Sequence, residues 1–197
     1  RGIRVGTGRH VFQKELARLT EEGAADLSPR MRLLVTDMAS ELDVINDRVT
    51  AIDAEIKALA RTDADMQRLM EIPGIGPTIA TALVAAVGTG SSFGKGRALA
   101  AWLGLVPRQV TTGGKAKLIG ISKHGNRYLR KLFIHGARTV LHLVRDRTSP
   151  ITVWADALKE RAHVNVAAVA MANKMARIAW AVLTKGERYR PNAMSGL

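Results

Sequence analysis

The chain contains no cysteine. Disulfides and thiolate–zinc sites are therefore excluded, and the composition suits a reducing compartment. Aromatic residues make up only 4% of the 197 positions, while Ala and Val are abundant. That favours small-residue helix packing over a β-sandwich. The longest apolar runs fall short of a membrane span. The basic opening RGIRVGTGRH is not followed by the apolar core of a signal peptide. A cytoplasmic protein without a membrane partner is the expectation. An initiator Met is also missing and the chain opens in a Gly-rich, loop-like stretch, which predicts a fragment of a longer protein. The last shortage is of acid. Between Ser91 and Arg147 twelve Lys and Arg stand against the single Asp146, in a chain of formal net charge +13. Charge this concentrated is the footprint of a polyanion. Against these shortages, 47% hydrophobic content excludes wholesale disorder. The length suffices for one core, or one core plus an extended arm.

The pattern predicts an all-α fold, with a long coiled-coil helix followed by a compact helical domain. Residues 1–27 read as linker and a short helix from His10 to Leu19. Ser28-Pro29 is a helix start, with Ser as N-cap and Pro at the first helical position. From there Met31, Val35, Met38, Leu42, Ile45, Val49, Ile52, Ile56 and Leu59 step by four and three, a heptad seam. The long helix is expected over 28–66. The short helix ahead of it is too short to serve as its partner, so the seam predicts an intermolecular dimer through Met38, Leu42, Ile45, Val49, Ile52, Ile56 and Leu59. A helical domain is expected over 67–190. Within it GTGSSFGKG is a loop, and a short helix runs from Arg97 to Leu103. The segment Val106–Lys115 is a polar loop or β-turn, and Lys117–Ile121 a short strand. Helices are expected over Asn126–Arg145, Ile151–Arg161 and Val164–Leu183. Trp102, Trp154 and Trp180 read as core, and residues from Glu187, above all 191–197, as a loose tail.

The segment LMEIPGIGPTIATALVAAVG carries a mechanism. Gly74 and Gly76 allow a tight turn and a close approach to a ligand. Thr78 opens the next helix, whose first N–H groups are free to face a phosphate. Ile72, Ile75, Ile79, Leu83 and Val84 join the two helices. This resembles the helix-hairpin-helix motif of DNA repair and recombination proteins, which positions nucleic acid without reading its sequence. A purely structural Gly-rich turn is the plainer alternative. Candidate backbone contacts are Arg108, Lys115, Lys117, Lys123, Arg127, Arg130, Lys131 and Arg138, with His124 orienting a phosphate or acting as a base. His135 and His142 lie seven apart, not one turn, and no carboxylate pair lies in the block, so no metal site is expected here.

The hairpin, the stretch LAAWLGLVPRQVTTGGKAKLIGISKHGNRYLRKLFIHGARTVL and the helix NVAAVAMANKMARIAWAVL combine into a signature. Together they resemble the C-terminal transposase domain of the Piv-like, DEDD-type insertion-sequence transposases. The likeness runs from Arg68 to the end, and the long helix resembles that family's coiled coil. It implies a DNA recombinase, in many members guided by a structured RNA, assembled as dimers and tetramers on RNA and DNA in the prokaryotic nucleoid. It also implies Mg²⁺ held by acidic residues of an N-terminal domain, no cofactor in this portion, and a catalytic serine in the C-terminal domain. Ser122, among Lys123, Arg127 and Arg130, is the first candidate; Thr111 and Thr112 in the TTGGK turn are the rivals. Capping of the helix at Asn126 is the structural alternative for Ser122. Two other readings remain: a non-catalytic nucleic-acid-binding scaffold and a coiled-coil assembly module.

Overall fold

The structure, a computed structural model, describes residue 4 and residues 6–21, 27–142 and 149–191. Among them it is predominantly helical, as expected, with one two-stranded antiparallel hairpin. Asp146, Val144 and the last six residues lie outside the described residues. Two compact units divide the chain, residues 1–55 and 56–197.

The first unit contains α1 (Arg9–Thr20) and most of α2 (Pro29–Thr62). Ser28 begins α2 as its sequence signal requires: Met31 N donates to Ser28 Oγ at 3.3 Å. One expectation changes here. The short α1 does flank α2. Its Phe12, Leu16 and Leu19, spaced as one helical stripe, share a cavity of about 430 Å³ with Val35, Met38, Leu42 and Ile45. Arg9 Nη2 donates to Asn46 Oδ1 at 2.8 Å. The cover is incomplete, and Met38, Ile45, Val49, Ile52 and Leu59 are exposed, with Leu42 and Ile56 half-buried. The long helix also stops earlier than the predicted residue 66. Asp63 takes an extended backbone, and its carboxylate accepts from Met66 N at 2.9 Å, capping a new helix, α3 (Ala64–Met70).

The second unit is built on α8 (Val164–Lys185). Its Ala167, Ala168, Met171, Ala172, Met175, Ala176 and Ala179 are fully enclosed. Small side chains let α3, α5 (Gly96–Trp102), α6 (Arg127–His142) and α7 (Pro150–Arg161) pack against this one helix. Length and composition would let α8 cross a membrane, but more than half of that window is buried in the core. Helix α6 contributes Leu129, Phe133, Ala137, Val140 and Leu141; burying a side chain such as Phe133 contributes about 1.5–3 kcal/mol. Its N-cap is Asn126, whose Oδ1 accepts from Leu129 N at 2.9 Å. Ser122 therefore is not the cap. Beyond α8, two residues of the segment expected to be a loose tail are tied to Glu71. Glu71 Oε2 accepts from Tyr189 N at 3.1 Å, and Glu71 Oε1 lies 3.6 Å from Arg188 Nε.

The turn between α3 and α4 (Pro77–Val87) shows what its two glycines do. Gly74 has φ +86, and a Cβ there would lie 2.6 Å from Gly136 O on α6. The side of this glycine where a Cβ would stand faces the core and brings the turn against α6. Gly76 has φ −98, and a Cβ there would meet nothing within 4 Å. Gly74→Ala is accordingly expected to cost about 2–4 kcal/mol, from left-handed strain and overpacking together. Gly76→Ala is expected to cost under about 1 kcal/mol. Urea unfolding of both variants measures the difference.

Candidate nucleic-acid interface

The segment read as a polar loop is half of a β-hairpin. Strand β1 (Pro107–Thr112) pairs with β2 (Lys115–Ile121), with an irregularity at Pro107/Arg108. Gly113 and Gly114, with φ of +58 and +76, form the two-residue turn, as positive φ at both positions demands. Sequence periodicity misses β1 because all six of its residues are exposed. With no buried face there is no alternation to detect.

The register sorts the hairpin's side chains. Direct partners in an antiparallel ladder share a face. Arg108 pairs with Ile119, Val110 with Lys117, and Thr112 with Lys115. Arg108, Lys117 and Lys115 therefore stand on one face, with Thr112. Thr111 stands on the other, with Ala116 and Leu118. Both threonines are exposed. Ser122 sits at the hairpin's base, where its backbone N donates to Val106 O at 2.8 Å. Its Oγ is shut off from solvent and has no hydrogen-bond partner.

The chain leaving β2 is tied to the end of α5. Lys123 N donates to Gly104 O at 3.2 Å and Asn126 N to Trp102 O at 3.3 Å. Lys123 holds a left-handed backbone, φ +57, the one such non-glycine among the described residues. Arg130, predicted as a phosphate contact, is committed elsewhere. Its Nη1 donates to Leu103 O at 3.0 Å and to His124 O at 3.1 Å, so it staples this junction. Arg127, Lys131 and Arg138 are exposed on α6, spaced four and seven along one face, with His135 between them. Arg138 Nη2 also donates to Asn165 Oδ1 on α8 at 3.0 Å. His124 and Tyr128 are exposed. Thr78 is exposed at the start of α4; the N–H groups of Thr78 and Ile79 make no hydrogen bond among the described residues. No acidic residue occurs between Glu71 and Asp146, so none sits on these elements.

Two cations escaped the sequence reading. Lys174 and Arg177 lie on α8, within the helix expected over Val164–Leu183, and were not among the candidate contacts. Lys174 Nζ lies 4.6 Å from the centre of the Trp154 ring. Burial, then the neighbouring Arg177, holds the Lys174 ammonium below the usual lysine range. Their signal was present as a break in the apolar run, Asn173-Lys174 and Arg177 inside an otherwise buried helix. The three tryptophans are half-buried against the core, and Trp180 Nε1 donates to Phe93 O at 2.9 Å.

A helical scaffold with an acid-free, cation-bearing surface has the charge pattern of proteins that hold polyanions. Residues 66–150 match the family model described as Transposase IS116/IS110/IS902 family. The chain is 41% identical, over 98% of its length, to the transposase for insertion sequence element IS1111A of Coxiella burnetii. It is 45% identical, over 85% of its length, to a probable family 20 transposase of Pseudomonas aeruginosa. To the transposase for insertion sequence element IS1328 of Yersinia enterocolitica it is 38% identical over 94%. The chain is thus a relative of insertion-sequence transposases. It covers 53%, 49% and 54% of those three proteins, about half of each.

Arg130 and Lys131 separate structural from surface cations. Arg130→Ala leaves two carbonyls unpaired and is expected to cost about 1–3 kcal/mol. Lys131→Ala is expected to change stability by under about 0.5 kcal/mol. Thermal unfolding at fixed salt measures both.

Proposed function

We propose that this chain is the nucleic-acid-binding C-terminal part of a DNA transposase of the Piv-like, DEDD type, acting on DNA under guidance from a structured RNA. The observation that carries the binding reading is the acid-free cationic surface: Arg108, Lys115 and Lys117 on one hairpin face, and Arg127, Lys131 and Arg138 along α6. Cations so arranged contact phosphates and release counterions. The open N-terminus of α4, with Gly76 and Thr78, adds backbone donors in the manner of a helix-hairpin-helix. RNA guidance and the acidic partner domain follow the family resemblance. Among the described residues no three His, Cys, Asp or Glu gather to hold a metal ion.

A hydroxyl that cleaves a phosphodiester must reach phosphorus, and the charge growing on the non-bridging oxygens must be offset. Its oxygen bonds to phosphorus as the bond from phosphorus to the sugar oxygen breaks, and the hydroxyl proton ends on the departing sugar oxygen. Thr112 meets both demands: it is exposed, and it shares a hairpin face with Lys115, Lys117 and Arg108. Ser122, the first candidate on sequence, has its Oγ enclosed and acts only if the hairpin base opens. Thr111 is accessible but shares its face with Leu118 and Ala116. The exposed seam of α2, from Val49 through Leu59, supports self-association through a coiled coil.

Duplex DNA binding by this chain is expected to weaken steeply with salt. Replacing Lys115, Lys117 or Lys131 by Ala is expected to lower the log–log salt slope by about 0.9 each. Salt-independent binding would refute the phosphate-contact reading. In the full-length protein, Thr112→Ala is expected to abolish strand exchange and Ser122→Ala to retain it, scored on a donor–target plasmid pair. The reverse outcome returns the nucleophile to Ser122. Survival of exchange in both single variants and in the double variant leaves the non-catalytic scaffold reading.

A further inference from the structure

An open groove of about 1100 Å³ lies between the hairpin and helices α6, α7 and α8. Its lining is mainly apolar, including Leu118, Ile134, Trp154, Val166 and Val169. The charged residues that line it are four cations, Lys123, Arg138, Lys174 and Arg177, with no carboxylate. None of the four has a salt-bridge partner among the described residues. The protein therefore keeps an apolar surface open to water and gathers like charges around it. Both features are unfavourable in the free chain, and an anion with flat apolar parts relieves both at once.

We propose that this groove binds an unpaired stretch of nucleic acid, its bases against the apolar lining and its phosphates against Lys123, Arg138, Lys174 and Arg177. The inference rests on the nucleic-acid reading above and names a second, strand-selective site within it. Charge complementarity selects a polyanion. Lys123 and Arg138 belong to the hairpin exit and to α6, the elements that carry the cationic surface, so one strand can reach both. A duplex hides its base faces in the stack and gains little from an apolar lining, whereas unpaired bases present theirs. Asn165 and Asn173 supply base-edge partners. Asn165 Oδ1 is taken by Arg138 and Asn173 Nδ2 by the Leu105 carbonyl, which leaves the amide nitrogen of one and the oxygen of the other. The groove exceeds the space a single drug-sized ligand fills, enough for about two or three nucleotides.

The test uses the whole chain and two labelled probes, oligothymidine of roughly ten nucleotides and a blunt duplex of the same length, read by fluorescence anisotropy. Val166 is exposed on α8 and lines the groove, so Val166→Glu adds a carboxylate there without disturbing the core. Arg177→Gln is the second variant, and the melting temperature of each reports its folding. Each variant is expected to bind oligothymidine about tenfold more weakly, a loss of about 1.4 kcal/mol, and the duplex within about twofold of wild type. Equal losses on both probes, or no loss on either, overturn the proposal. If an acidic, leucine-containing peptide displaces oligothymidine, and binds more tightly than it does, the occupant is a protein segment and the proposal falls. A chain that binds duplex but not oligothymidine removes the groove site and leaves the function reading standing. A chain that binds neither removes both.

Discussion

Helix α6 works on both sides, and both depend on its seating against α8. On the inner side Phe133, Ala137 and Val140 are buried, α6 packs against the alanine-rich α8, and Gly136 admits the backbone of Gly74. That contact places the α3–α4 turn. On the outer side Arg127, Lys131 and Arg138 follow one face to solvent. A bulkier residue on the inner side would move the turn and the cations together, because close-packed interiors transmit displacement instead of absorbing it. The small side chains of α8 are thus a condition for the surface and not only for the core.

The hairpin depends on that core through its two ends. Backbone bonds from Ser122 to Val106, from Lys123 to Gly104 and from Asn126 to Trp102 clamp its base to the end of α5, and Arg130 adds a side-chain staple. Beyond the clamp the ladder has no buried face. Two strands alone are marginal in water, so the clamp and the two-glycine turn set its register. The register in turn decides which hydroxyl stands among cations. The separation of Thr112 from Thr111 is therefore a consequence of strand pairing one residue at a time.

Most helices were legible because each buries one face, which leaves a period in the sequence. Leu129, Phe133, Ala137, Val140 and Leu141 recur at helical spacing in the sequence and are all buried. The long helix start at Ser28 and Pro29 was legible from capping chemistry. What failed were features without a period. Strand β1 is exposed on both faces. The break at Asp63 depends on one carboxylate turning back on Met66, and α1 flanks α2 through only three apolar residues. The candidate cations were legible as a charge excess, but their division was not. Arg130 reads like its neighbours in sequence and is a staple in the fold, whereas Lys174 and Arg177 read as interruptions of a core helix and line a groove.

The sequence by itself determined the helical class, the apolar faces and the concentration of positive charge, because propensity, periodicity and composition are local properties. It also contained the kinship with insertion-sequence transposases. Only the tertiary structure decided that Gly74 faces the core, that Ser122 Oγ is enclosed while Thr112 is open, and that cations from three separate elements meet around one apolar groove. Each of these depends on which distant segments pack together. That is settled by the close approach of α6, α8 and the α3–α4 turn, and no local pattern encodes it.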